Sequence, residues 1–437
     1  MEDWPAMGLP RRLEAVWDHL GIGVAHVAAP MPGDVAALVA TSPDRVAGLV
    51  LCVPTRLDPA PFAAVAGRTL LISGEGELTD AVTARALPRL PGADRRVLAG
   101  YAAPGWADVV ADRSEAISGW MSGWLGRFSA DPPRAVAPEG VVAEISYRIR
   151  GEGPALVLLP FFLAPSQWEP AIPALARQFS VVTLGGRHLG GIAALEDRAR
   201  ASSYRAMVRN LLEQMAPRPG ETILDIGSGS GALDRLVARL WPDCALTAVD
   251  VNPFLQREAK ILAAAEGLGD AITFLPGSAE ALPFPDASFD CVLSVTVLEE
   301  CNADNALREA RRVLRPGGRL GVVVRAIDLP QWWNLELPEA LRARAETPPQ
   351  SVAPQGVADA SLYRRMRAAG FRDLAGAPAL VTLDRPDGPI WRYREDHVLS
   401  LLTPEETRTW HALTAAARGE GVLMMAHPMH CAVATKA

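Results

Sequence analysis

The densest run of chemically informative residues is Thr222-Ile223-Leu224-Asp225-Ile226-Gly227-Ser228-Gly229-Ser230-Gly231, an apolar strand that passes through a glycine turn into the helical stretch Ala232 to Leu240. Glycines let a backbone approach a ligand closely, and a helix amino terminus offers unpaired N–H groups to an anion. A second apolar run, Ala245 to Val249, ends at Asp250, 19 residues after Gly231. A carboxylate there can accept hydrogen bonds from two ribose hydroxyls. Together these residues describe a pocket for an adenosine-bearing ligand. The turn alone is degenerate, because Gly227-x-Gly229-x-x-Ala232 also satisfies the dinucleotide pattern, which leaves a nicotinamide oxidoreductase open.

Three later segments should open at the same crevice, beyond the carboxyl ends of the strands. After the strand Cys291 to Val295 come Glu299 and Glu300; after Leu320 to Val324 come Arg325, Trp332, Trp333 and Asn334. The third segment, Ala426 to Cys431, carries His427 and His430 just before the last strand. Glu299 is the first candidate for a general base or orienting group, with a solvated helix-start carboxylate as the plain alternative. The tryptophans could wall an aromatic acceptor or serve domain packing, and the histidines could exchange protons near neutral pH. The histidine pair lacks a third ligand, so no metal site is expected. Tyr204 could cover the ligand or fill the core, and Arg392 to His397 reads as a charged surface face.

The elements that must hold these groups follow from patterning. From Val141 to Thr183 and from Thr222 to Val324, short β-branched runs alternate with amphipathic stretches, which means α/β architecture with mostly parallel sheets. A chain of 437 residues predicts two or three domains. Asp131 to Gly140 reads as a linker, and Glu346 to Gly356 holds three prolines. The net charge of −7 is evenly spread, so no nucleic-acid face is expected. The five cysteines include no C-x-x-C pair, and Cys52, Cys244 and Cys291 are expected in the core. The longest apolar stretch, Ala155 to Pro165, is too short to span a bilayer. With no secretory signal visible, a cytoplasmic location is expected.

Downstream context narrows the ligand. Gly277-Ser278-Ala279-Glu280-Ala281-Leu282-Pro283-Phe284-Pro285-Asp286 is followed by Ser288 to Val292, the helical run Leu307 to Leu314 and Arg315-Pro316-Gly317-Gly318. From about Tyr204 to Arg325 the chain resembles the class I S-adenosylmethionine-dependent methyltransferases, especially the ubiquinone/menaquinone C-methyltransferase-like group. The resemblance implies a Rossmann-like seven-stranded domain over residues 196–437. It further implies that Tyr204, Asp225, Gly227, Ser228, Gly229 and Gly231 hold the methionine end of S-adenosylmethionine, that Asp250 takes the ribose, and that Val251 and Ala279 flank the adenine, with Ser294 and Val295 lining the site. Ser278 stands where the family usually has an aspartate, so its hydroxyl or Glu280 would have to meet the adenine amino group. The implied activity is methyl transfer to a small molecule, the alternatives being a non-catalytic cofactor-binding regulator or the oxidoreductase above.

Residues 1–195 resemble an α/β-hydrolase with its halves exchanged. Residues 1–130 carry the later half: a helix Leu13 to Leu20, a strand Gly23 to Val27, a helix Pro32 to Ala40 and the strand leading from Ser42 to Leu51. Residues 141–195 carry the opening hairpin, strand, helix (Trp168 to Phe179) and strand (Val181 to Leu184). Ala29 falls at the nucleophile position, Pro104-Gly105-Trp106 falls near the histidine position, Glu77 is left as the acid, and no G-x-S-x-G exists. The expectation is a catalytically silent domain that packs against the methyltransferase, covers its substrate mouth or mediates dimerisation.

Overall fold

The computed structural model describes residues 8–76, 78–102, 108–134, 136–161, 163–350, 352–384, 386 and 388–437, and of residues 78, 389, 392, 396, 400 and 404 the backbone alone. Glu77 and Pro104-Gly105-Trp106 lie outside the described residues. The chain divides into two compact units, Met1–Ala193 and Ala194–Ala437.

In the first unit, eight strands form one sheet: β1 (Ala25–Ala29), β2 (Val46–Cys52), β3 (Thr69–Gly74), β4 (Asp94–Leu98), β5 (Glu139–Val142), β6 (Ile145–Arg150), β7 (Ala155–Leu158) and β8 (Ser180–Gly185). Their order is β4-β3-β2-β1-β7-β8-β6-β5. All pairings along β4-β3-β2-β1-β7-β8 are parallel, β6 runs antiparallel to β8, and β5 returns antiparallel to β6. Every residue of β1, β2 and β3 is buried, as expected of a parallel sheet covered on both faces. The helix Leu9–Leu20 shows how it is covered: Leu13, Val16, Trp17 and Leu20 fall on one face at helical spacing, and Gly21 closes the helix at φ +65°.

Two expectations need correction here. The segment 131–140 is no free linker: the Asp131 carboxylate accepts from the N–H groups of Gly23 and Val24, its carbonyl accepts from Ala155, and Arg134 N–H donates to Leu20. It stitches β1 to β7 and runs into β5. The stretch Trp168 to Phe179 is not one helix but a short 3-10 turn, Pro165–Trp168, and a single α turn, Ile172–Leu175. Pro170 and Pro173 lack the N–H groups that a continuous helix would use.

The second unit holds β9 (Thr222–Ile226), β10 (Ala245–Asp250), β11 (Ile272–Pro276), β12 (Phe289–Val295), β13 (Leu314–Arg325), β14 (Trp332–Trp333), β15 (Phe371–Gly376), β16 (Ala379–Leu383) and β17 (Met425–Lys436). The sheet runs β11-β10-β9-β12-β13-β17, parallel except for β17. Nine strands fill seven columns. Along β17, β13 and β14 share one edge, and β15 and β16 share the other end to end. The reason is length, since β17 is twelve residues long and reaches past both short partners. Residues 426–431 therefore belong to this strand rather than to a loop before it.

Candidate functional site

The site forms where β9, β10, β12 and β13 end. Gly227, Gly229 and Gly231 have φ of +79°, +55° and +72°, conformations costly for residues with a Cβ. A Cβ at Gly227 would run into Val297, and one at Gly231 would lie 3.1 Å from Ala259 and Phe274. The turn is fixed from beneath: the N–H groups of Gly227 and Ser228 donate to Val249 at 2.7 and 2.9 Å. Asp250, nearly buried, accepts from Gly229 N–H and Asn252 N–H, both at 2.8 Å. Burial pushes its carboxyl up and these two bonds pull it back. Val251, in the next position, is 74% exposed, a large apolar side chain left open beside the turn.

Polar atoms without partners cluster around this cradle. Asp225 and Asp234 are buried side by side, one at the end of β9 and one in the first turn of the helix Ala232–Leu240. Neither Asp234 oxygen has a hydrogen-bond partner. Burial raises both carboxyls, with the Asp225 charge adding to the rise at Asp234 and the Asp250 charge to that at Asp225, and the adjoining pair titrates as a unit. Ser294 Oγ, at the end of β12, is orphaned, and the Tyr204 hydroxyl, fully buried near Thr296, lies outside hydrogen-bonding geometry. Thr296 is held at φ +59°, a strained conformation for a β-branched residue. Buried polar groups are normally satisfied, so this set fits a polar ligand.

Ser278, Glu280 and Ala279, expected at the adenine end, divide their work. Glu280 is engaged, accepting from Asn302 N–H at 3.0 Å at the start of the helix Ala303–Val313. Ser278 Oγ accepts from Glu280 N–H at 3.2 Å and keeps its own proton to donate. Ala279 is half-buried beside them. Val295 is buried in the sheet.

Sequence reasoning missed the brace behind the glycine turn. Both Glu196 oxygens pair with Arg235 at 2.7 Å, Ser230 Oγ donates to Glu196 at 2.8 Å, and Arg235 donates to the Ser230 carbonyl. All three side chains are buried. Glu196 belongs to a polar run whose composition gives no hint of burial.

The acceptor side departs further from expectation. Glu299 is 2% exposed, and both its oxygens are spent on Arg325, one on its N–H and one on its guanidinium. With both oxygens engaged, Glu299 buttresses Arg325. Its neighbour Glu300 is exposed. Trp333 is buried edge-on against Trp391 and Trp410, its N–H donating to Ala345, so it is core. Asn334 donates to Val422 at 2.8 Å and holds a loop, whereas Trp332 is 41% exposed on β14. His430 bonds through both nitrogens, to Tyr363 at 3.0 Å and Asp328 at 2.9 Å, which removes it from the ligand side.

His427 differs. It is buried on the face of β17 that carries Met429 and Cys431, and Nδ1 has no partner. Burial, then Arg394, Arg198 and Arg325, hold its pKa well below the usual imidazole value. Arg394 was expected on a surface face with Arg392 to His397. Instead it is 5% exposed, between Trp391 and Val398 on the inward face of the helix Gly388–Leu401. Its i+3 and i+4 spacing to those buried residues was the available signal. Tyr393 and His397 remain at the edge, and the side chains of Arg392 and Asp396 are outside the described residues.

Among the described residues no group of three or more His, Cys, Asp or Glu could hold a metal, and no helix is long and apolar enough to cross a membrane. All five cysteines are free; Cys52 and Cys291 are core, but Cys244 is half-buried, its thiol directed to the Arg218 carbonyl.

Comparison with known proteins agrees with this geometry. Residues 224–322 match the model of a methyltransferase domain family. A ubiquinone/menaquinone biosynthesis C-methyltransferase of Hahella chejuensis is 37% identical over 131 residues, 30% of this chain and 53% of that one. A malonyl-[acyl-carrier protein] O-methyltransferase of Herminiimonas arsenicoxydans is 37% identical over 120 residues, 27% of this chain and 43% of that one. The chain thus spans about half the length of the relatives it matches. Among solved structures, the YcgJ protein from Bacillus subtilis aligns at 19% identity and TM-score 0.37, covering 53% of this chain and 98% of that one. The second unit thus carries a methyltransferase domain over residues 224–322.

Proposed function

We propose that the protein transfers a methyl group from S-adenosylmethionine to a small-molecule acceptor. The observation that carries this reading is the cradle of positive-φ glycines tied to the Asp250 carboxylate and ringed by orphaned buried polar atoms. When bound, the cofactor supplies a methyl carbon already activated by a positively charged sulfur. The glycine turn and Asp225 would hold the methionine end, Asp250 the ribose, and Val251, Ser278 and Ala279 the adenine.

Methyl transfer is an in-line displacement, so the residues here chiefly align the acceptor and exclude water. The acceptor atom gains the bond to carbon while the sulfur keeps the electron pair of the bond that breaks. Glu299 is engaged with Arg325, and His427, whose Nδ1 has no partner, would accept a proton from the acceptor only weakly, because burial and the neighbouring guanidiniums hold its pKa down.

The first unit reads as the permuted, silent hydrolase-like domain. In support, the β5–β6 hairpin, β7 and β8 complete one sheet with β1 to β4, and β1 ends in buried Ala29. No residue from Ala25 to Met31 has positive φ, so the strained elbow a nucleophile would occupy is absent there.

Calorimetry with S-adenosylhomocysteine and with NAD tests the proposal. Binding of the former alone is expected, and saturable binding of NAD alone would overturn it. Formation of S-adenosylhomocysteine from S-adenosylmethionine with an accepted substrate separates an enzyme from a cofactor-binding regulator.

A further inference from the structure

The helix Gly388–Leu401 turns Trp391, Arg394 and Val398 toward the interior, and two of these three belong in an apolar core. Arginine is almost never buried unless paired. Arg394 makes no hydrogen bond or ion pair among the described residues, its Nε is buried without a partner, and its sole ring contact is with Tyr393. Burial lowers its pKa to about 10. Two further cations stand near it and His427: Arg325, already committed to Glu299, and Arg198, which lies over the Tyr204 ring 5.2 Å from its centroid. The Tyr393 phenol and the Glu299 carboxylate work against the lowering at Arg394. Three guanidiniums thus act on the His427 imidazole, and two of them, Arg325 and Arg394, are acted on by the Glu299 carboxylate.

An unpaired buried charge is costly, and here it adjoins the one acceptor-side histidine with a free nitrogen. A guanidinium fork matches a carboxylate in bidentate geometry. Resting on the methyltransferase reading above, we infer that Arg394 is the anion-binding residue of the acceptor pocket and that the acceptor carries a carboxylate. The cofactor itself bears a carboxylate, and this second source would use the same chemistry. The acceptor is favoured because the helix that carries Arg394 packs its Trp391 and Val398 into the cluster around Trp333 and Trp410, whereas the glycine turn is braced separately by Glu196 and Arg235.

The test uses the full chain saturated with S-adenosylhomocysteine and titrated calorimetrically with benzoate and hexanoate, and with benzamide and hexanamide as uncharged counterparts. The carboxylates should bind and the amides should not. Arg394→Gln should weaken carboxylate binding by about tenfold or more, the order for losing a charged hydrogen-bonded pair, and leave S-adenosylhomocysteine affinity within about twofold. Arg394→Met, which removes an unpartnered charge from an apolar face, should unfold at a temperature no lower than the parent. Failure of both carboxylates to bind the parent would overturn the inference, as would unchanged carboxylate binding in Arg394→Gln. Loss of S-adenosylhomocysteine affinity in that variant would assign Arg394 to the cofactor's carboxylate instead. A marked fall in the melting temperature of Arg394→Met would show that the guanidinium has a protein partner. Absence of S-adenosylhomocysteine binding to the parent would strike the methyltransferase reading itself.

Discussion

β1 and β9 are both central strands of largely parallel sheets, and both lead into a helix at their carboxyl ends. β1 leaves its sheet through Ala28 and Ala29, buried and apolar, with ordinary backbone angles. β9 leaves through three positive-φ glycines, with Asp225, Asp234 and Asp250 buried around the turn. The first sheet buries His26 with neither ring nitrogen bonded and places no charge near it. The second surrounds its strand ends with carboxylates and guanidiniums, some paired and some waiting. Shared architecture therefore does not locate function; buried polarity in excess of what packing needs does.

The contrast can be broken most sharply at the brace of the glycine turn. Arg235→Ala leaves Glu196 buried without its cation and should cost about 3 to 5 kcal/mol, read by urea unfolding. A loss below about 1 kcal/mol would mean the brace is dispensable. Next comes acid. The His26 imidazole is held at about 4 in the folded chain against 6.5 unfolded, by burial. A depressed folded value means that stability is intact above pH 6.5 and lost as pH falls toward about 4, amounting to roughly 3 kcal/mol. His26→Leu should remove that dependence, and an unchanged acid slope in this variant would exclude His26 as its source. Asp250→Ala should weaken cofactor binding by about 1 to 3 kcal/mol in calorimetry. Parental affinity there would refute the ribose assignment. The smallest effect belongs to the first sheet: Ala29→Ser should cost about 1 to 2 kcal/mol for burying a hydroxyl, and ester hydrolysis should stay at background. Hydrolysis gained by that one change would show a latent active site.

Much of this was legible in the chain itself. The glycine turn, Asp250 and the strand–helix alternation are local signals, set by backbone conformation and by a period of two or 3.6 residues, and such signals survive without knowledge of neighbours. Asp225, Ser278 and Ala279 stand in the segments where the sequence placed them. The acceptor side was not legible in the same way. Glu299 read as a free carboxylate until Arg325, 26 residues on, was found on both its oxygens. Trp333 read as a pocket wall and His430 as a proton-exchanging group until Trp410 and Asp328 claimed them.

The sequence by itself determined where the backbone turns on three glycines and that the chain contains no G-x-S-x-G motif, because both depend on residue types at short spacing. Only the tertiary structure decided that Arg394 is buried while its charged neighbours stay at the edge, that Glu196 braces the turn, and that His427 keeps a free nitrogen. Those outcomes depend on which partners arrive from distant strands and helices. Burial and pairing are properties of the assembled neighbourhood, and no single segment encodes them.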